Sequence, residues 1–158
     1  MSGESVLAWL AQHAPDVALI DHSRSTATVA EAADVLGVEP GRIAKTLAFR
    51  VGDAPMLLIA RGDARLDNQK CKAELGGRPR MLDADTTLDL TGHAVGGVCP
   101  FGLATPLPIL ADRSLLAYPT VFPAAGTRTS SVELKPDRLV QLVSARWVDV
   151  CKLPEDAA

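Results

Sequence analysis

Residues 95–110 read VGGVCPFGLATPLPIL. Gly96 and Gly97 follow an apolar residue, and Pro100, Pro106 and Pro108 stiffen what comes after. Lacking a Cβ, the paired glycines can take positive φ and let a ligand approach their peptide N–H groups. Successive N–H groups turned into one concavity hold an anion or an oxyanion without a charged side chain. Proline cannot donate to a ladder, so Pro100 and Pro106 put the segment at a sheet edge or a pocket rim. Taken alone, Gly-Gly-x-x-Pro also fits a plain structural turn, which is its commoner use.

Outward from this segment, helical and strand-like runs interleave. Val6, Leu7, Trp9 and Leu10 give 2–13 an amphipathic helical period, with Ser2 or Ser5 as its cap. A brief strand at 17–20 leads into Asp21-His22-Ser23. Thr28 caps a helix over 28–36, Glu31 sits three residues on, and Gly37 ends it. Pro40 opens a further helical turn. Strands at 45–51 and 55–60 flank Gly52-Asp53 as a hairpin. Helices are predicted over 67–75, closed by Gly76-Gly77, and over 83–91, ended by Gly92, with a strand at 80–82 between them. Then follow a strand at 107–111, a helical turn at 112–116, hairpin strands at 120–123 and 130–134 around Gly126, a helix from Pro136 to 143 and a strand at 147–150. This irregular order predicts an α+β fold with a mixed sheet in one domain over 1–153, and a loose tail at 154–158.

The chain has 158 residues, 47% hydrophobic and 22% charged, the balance of a soluble globular protein. No apolar run approaches the ~18–20 residues that span a bilayer, and no basic-then-apolar leader opens the chain, so a cytoplasmic protein without membrane contact is expected. Cys71, Cys99 and Cys151 form no CxxC, and His13, His22 and His93 share no ligand spacing with them. Neither a bound metal nor another cofactor is expected. From Arg42 to Arg80 nine Lys/Arg face four Asp/Glu, a local +5, whereas the remainder carries −8. Such an excess can bind a polyanion, or it can be an ordinary solvated surface.

Several segments together resemble one family. They are Arg42-Ile43-Ala44-Lys45-Thr46-Leu47 after an AxxLGV helix end, Arg65-Leu66-Asp67, and the run from Thr91 to Gly102, TGHAVGGVCPFG. In this order and spacing, over 28–150, they resemble the YbaK/EbsC group of the aminoacyl-tRNA editing-domain superfamily, related to the insertion domain of bacterial prolyl-tRNA synthetase. The resemblance implies a largely antiparallel, barrel-like sheet surrounded by helices. It also implies hydrolysis of the ester joining a wrong amino acid to the 3′ end of a tRNA. The partners implied are the aminoacyl-tRNA acceptor end and prolyl-tRNA synthetase.

Lys45 matches the family lysine, and a compact ammonium suits the terminal phosphate and ribose. N–H donors around Gly96, Gly97, Val98 and Cys99 would meet the oxyanion. The resemblance supplies water as nucleophile, oriented by the terminal ribose 2′-OH, a donor and acceptor that also tells RNA from DNA. Pro100, Phe101 and Leu103 form a candidate apolar wall, Gly126, Ser130 and Ser131 of GTRTSSVEL (126–134) a candidate polar one, and His22 a positioning group. Cys99 stands where cysteinyl-editing members commonly carry serine, and Ser131 where they carry aspartate. Ala, Cys, Ser and Thr on tRNA(Pro) are therefore all open as substrates. Two other readings use the same residues: a non-catalytic tRNA- or synthetase-binding module, and a thiol hydrolase in which His22 or His93 activates Cys99.

Overall fold

The computed structural model describes residues 2–157. Its elements in order are α1 (Ser2–His13), β1 (Ile20–Asp21), α2 (Val29–Leu36), β2 (Ile43–Val51), β3 (Ala54–Arg61), β4 (Arg65–Leu66), α3 (Asn68–Leu75), β5 (Arg80–Met81), α4 (Ala84–Thr91), β6 (Ile109–Asp112), β7 (Phe122–Pro123), β8 (Ser130–Ser131), α5 (Pro136–Val143), β9 (Arg146–Val148) and β10 (Cys151–Lys152). The side chain of Ser2, one of two expected caps, and the last tail residue, Ala158, lie outside the described part.

The β2–β3 hairpin forms the centre. It pairs antiparallel from Ala44↔Arg61 to Val51↔Ala54, turning at Gly52, whose φ of 60° is the left-handed conformation glycine adopts without strain. Leu57, Leu58, Ile59 and Ala60 of β3 are all fully buried, so both faces of the hairpin are covered. Ile59 joins the buried cluster of Val6, Leu10, Phe101, Leu115 and Leu139 on one face. Leu58 and Ala60 meet Phe49, Cys71, Leu110 and Val150 on the other. Each fully buried aliphatic or aromatic side chain contributes about 1.5–3 kcal/mol.

The helix ends follow the local chemistry of the sequence. Thr28 Oγ1 accepts the Glu31 N–H at 3.1 Å, and Gly37 closes α2 at φ 68°. Asp67 and Asp83 cap α3 and α4 in the same way, and Gly76 and Gly92 end them. An aspartate or threonine oxygen satisfies N–H groups that the first helical turn leaves open.

The main sheet runs β5-β2-β3-β6-β9, with β7 alongside β2. It is mixed: β2–β7, β3–β6 and β6–β9 are parallel, whereas β2–β3 and β2–β5 are antiparallel. The barrel-like closure expected from the resemblance is corrected here. Two-residue β5 and three-residue β9 end the sheet at opposite edges, and among the described residues no ladder joins them, so it stays open. The pairs β1–β8 and β4–β10 stand apart from it. Residues Pro154–Ala157, expected as loose, form a 3-10 turn from which Glu155 reaches Arg61 at 3.4 Å.

One feature of β2 sets the position of the site. Its outer edge meets β7 only at Ile43 and Ala44, and β5 only at Phe49 and Arg50. Between them the strand has no ladder partner on that side, apart from the Leu82 N–H on Ala48 O at 3.0 Å.

Candidate active site

A cleft of about 330 Å³ lies along this open edge. β2 supplies one wall, including Ala44, Lys45, Thr46 and Ala48; α2 adds Val29, Ala32 and Leu36; Gly96 and Val98 come from the loop after α4, and Ser130 and Ser131 from β8. Lys45 and the glycine loop, fifty residues apart in sequence, thus line one cavity.

The loop's shape is fixed from beneath. His93 is fully buried, and its Nε2 donates to Phe101 O at 2.7 Å. Because a carbonyl only accepts, Nε2 carries the hydrogen, leaving Nδ1 as an acceptor that is buried without a partner among the described residues. Gly97 N–H closes a turn onto Ala94 O at 2.9 Å. A Cβ on Gly97 would lie 2.8 Å from Gly126 C and 2.9 Å from Thr127 N, so backbone packs on backbone. From the solvent side Arg128 Nε donates to Val95 O at 3.2 Å.

Burial holds the His93 pKa below its usual 6.5. The stability this neutral ring confers is full above pH 6.5 and is lost as pH falls through the lower folded value, because the unfolded chain takes up the proton first. Melting temperature measured from pH 8 to 5 should decline for the native protein, and His93→Gln should remove that part of the decline.

Lys45 is half-buried, and its Nζ donates to Gly62 O at 3.2 Å and to Ala64 O. An ammonium has three donors, so one remains after these two. Burial lowers the Lys45 pKa, and the Asp63 carboxylate opposes that shift. Ser131 Oγ bonds His22 Nε2 at 2.6 Å, which brings His22 to the cleft through the serine. Ser130 Oγ is engaged by Thr127 Oγ1 at 2.6 Å and by Ala125 O at 3.2 Å. Gly126, at φ 93°, lies under the glycine loop.

Three expected site groups sit deeper. Cys99 is fully buried, and burial pushes its thiol up to about 12. Its Sγ is 3.6 Å from His93 Nε2, the nitrogen whose hydrogen goes to Phe101 O. Phe101 is 0% exposed and tilts against Trp9 at 5.3 Å. It is corrected from cleft wall to core, because the Pro100–Phe101 turn directs the ring towards α1. Pro100 is likewise buried and does not line the cleft. Gly97 N–H, expected as an oxyanion donor, is taken by Ala94 O. Among the described residues no partner is found for the Val98 N–H, and Val98 does line the cleft.

Residues 23–142 match the family model of the aminoacyl-tRNA editing domain. The chain belongs to that family. This editing domain is 44% identical over 154 residues to the uncharacterized protein YwhH of Bacillus subtilis, covering 96% of this chain and 98% of that one. It is 30% identical over 121 residues to a protein named "Putative Cys-tRNA(Pro)/Cys-tRNA(Cys) deacylase EbsC" of Enterococcus faecalis, covering 75% and 73% of the two. A crystal structure described as "a putative trans-editing enzyme for prolyl tRNA synthetase" superposes with a TM-score of 0.87 at 34% identity, over 96% of this chain and 97% of that one. A proline–tRNA ligase of Maridesulfovibrio salexigens shares 37% identity over 90 residues, 56% of this chain and 15% of the ligase. Family and relatives support aminoacyl-tRNA hydrolase activity, and the editing domain is related to a part of prolyl-tRNA synthetases. Among the described residues, no helix is long and apolar enough to cross a membrane.

The cleft also contains groups that its sequence motifs did not mark. Thr46 Oγ1 is buried there with no partner among the described residues. Its signal was a polar residue in the middle of the apolar strand IAKTLAFRV. Leu82, Thr87 and the first turn of α2 complete the walls; nothing local in the sequence marks them. The basic stretch is only partly available to a ligand. Arg61 is held by Asp63 and Glu155, and Lys70 by Asp149, whereas Arg50, Arg65, Lys72, Arg78 and Arg80 are exposed.

Proposed function

We propose that this editing domain acts in trans as a deacylase that hydrolyses the ester of mischarged tRNA(Pro) bearing a small amino acid: Ala, Cys, Ser or Thr. The observation that carries the reading is the single cleft lined by Lys45, Gly96, Val98 and Ser131. Water attacks the ester carbonyl, the bond to the ribose oxygen breaks, and the proton of the attacking water goes to that oxygen. Charge developing on the carbonyl oxygen meets the unpartnered Val98 amide; such a donor is worth about 2.7–4 kcal/mol of barrier in other hydrolases. The remaining Lys45 hydrogen faces the phosphate–ribose end of the substrate. The 2′-OH of the terminal ribose orients the water, so the protein contributes mainly placement.

Alanine side chains at 44, 48 and 124 line the cleft beside Thr46, an apolar wall suited to an uncharged amino-acid side chain. One methylene is worth only about 1–3 kcal/mol in an apolar pocket, which is why a synthetase errs and a second sieve is useful. The test is a panel of Ala-, Cys-, Ser-, Thr- and Pro-tRNA(Pro), with release of free amino acid followed over time. Release from one or more of the first four and sparing of Pro-tRNA is expected; binding without hydrolysis of any of them would overturn the reading. In the same assay Cys99→Ser should retain activity within about threefold, because a buried protonated thiol is no nucleophile. Abolished turnover with an intact fold would instead make Cys99 the attacking group.

A further inference from the structure

Beyond Ala48, the last β2 residue that lines the cleft, Arg50 lies directly opposite Arg80 of β5 in the antiparallel register. Like charges in this position destabilise a sheet, and β5 is only two residues long. Both side chains are exposed, and among the described residues neither has a salt-bridge partner. The carboxylate within electrostatic reach of Arg50 is Asp83, and it is committed to the Thr86 N–H at 2.7 Å as the cap of α4. The two guanidinium groups therefore add no ion pair to the fold.

The position of the pair gives it a use. Side chains alternate along a strand, so Arg50 projects from the same face as Thr46 and Ala48, which line the cleft. Four residues of strand separate Arg50 from Thr46 by about 13 Å. Arg80, directly opposite Arg50 in the register, projects from that same face. Two planar guanidinium groups on adjacent strands suit a phosphodiester, whose oxygens accept bidentate bonds.

We infer that Arg50 and Arg80 form a clamp for a phosphate of the single-stranded acceptor end, upstream of the nucleotide that bears the ester. The inference rests on the proposed function for the identity of its ligand, and direct RNA binding tests it separately. The probe is a fluorescein-labelled RNA hairpin ending in single-stranded CCA, uncharged, with binding read by anisotropy from 50 to 200 mM salt. Arg50→Gln/Arg80→Gln should weaken binding about tenfold at low salt, and should flatten the slope of log K against log salt by about 0.7, the value for one phosphate of a single strand. The double lysine variant should keep most of the affinity, since it keeps both charges. The melting temperature of the glutamine variant should hold or rise, because a repulsion has been removed. Equal affinity and slope in native and glutamine proteins would overturn the clamp, as would absence of RNA binding by the native protein or a marked fall in melting temperature. RNA binding that weakens as expected in a protein that cleaves none of the charged tRNAs would leave the clamp standing and sink the proposed function.

Discussion

Lys45→Ala should lower single-turnover deacylation about a hundredfold or more, with the melting temperature within a few degrees of the native value. The two effects separate because the lysine's interactions differ in kind. Its ammonium donates to Gly62 O and Ala64 O, and at a half-buried position water can take over those carbonyls. Removing a partly desolvated charge also offsets the lost hydrogen bonds. No water replaces a fixed cation beside the phosphate–ribose end of a substrate. Lys45→Arg should not restore the rate, since a planar fork cannot sit on two carbonyls and still present one compact charge. Rapid-quench measurement of free amino acid with saturating enzyme, alongside thermal melts, reads both quantities. An alanine variant that keeps its rate removes Lys45 from the mechanism.

Gly97→Ala should cut deacylation to a similar degree, but together with a stability loss of about 1–3 kcal/mol. The added Cβ would lie 2.8 Å from Gly126 C, 2.9 Å from Gly126 O and 2.9 Å from Thr127 N. All three are backbone atoms, so no side chain can swing away, and the loop bearing Gly96 and Val98 must lift from its support. Gly76→Ala is the control. There φ is 84° and nothing lies within 4 Å of the added atom, so it should cost about 1–2 kcal/mol of stability through backbone strain alone. Its deacylation rate should be native. If Gly97→Ala melts and turns over like the native chain, the stacked loops do not govern the site.

What the sequence disclosed was what neighbouring residues decide. Thr28 with Glu31 and Gly37, Asp67 with Gly76, and Asp83 with Gly92 bracket their helices through contacts a few residues long. Gly52-Asp53 likewise announced the central hairpin. The parallel neighbours of that hairpin were not visible, because β3–β6 and β6–β9 are joined across tens of residues. Two-residue β4 and β10 depend on contacts far apart in sequence: buried Asp112 accepts the Val150 N–H at 2.9 Å, and Val150 O accepts the Asp67 N–H at 2.8 Å, which brings Cys151 alongside Leu66. At the site, Lys45, Gly96 and Ser131 were read from motif and resemblance and lie on one cleft. Which of the loop's atoms face that cleft was not readable. Whether Phe101 points inward or outward, and whether Gly97 N–H is free, depends on His93 and Ala94 carbonyl geometry that spacing does not encode. Thr46 escaped notice because its empty hydroxyl is a property of the unpaired strand edge around it.

The grip on Arg61 has a practical corollary. Asp63 holds its guanidinium from one side and Glu155 from the other, and the carbonyls that steady Lys45 belong to the residues just beyond, Gly62 and Ala64. An affinity handle fused behind Glu155 would therefore act on the carbonyl anchor of the Lys45 ammonium through a single intervening side chain. Preparations differing only in such a fusion would then differ in turnover.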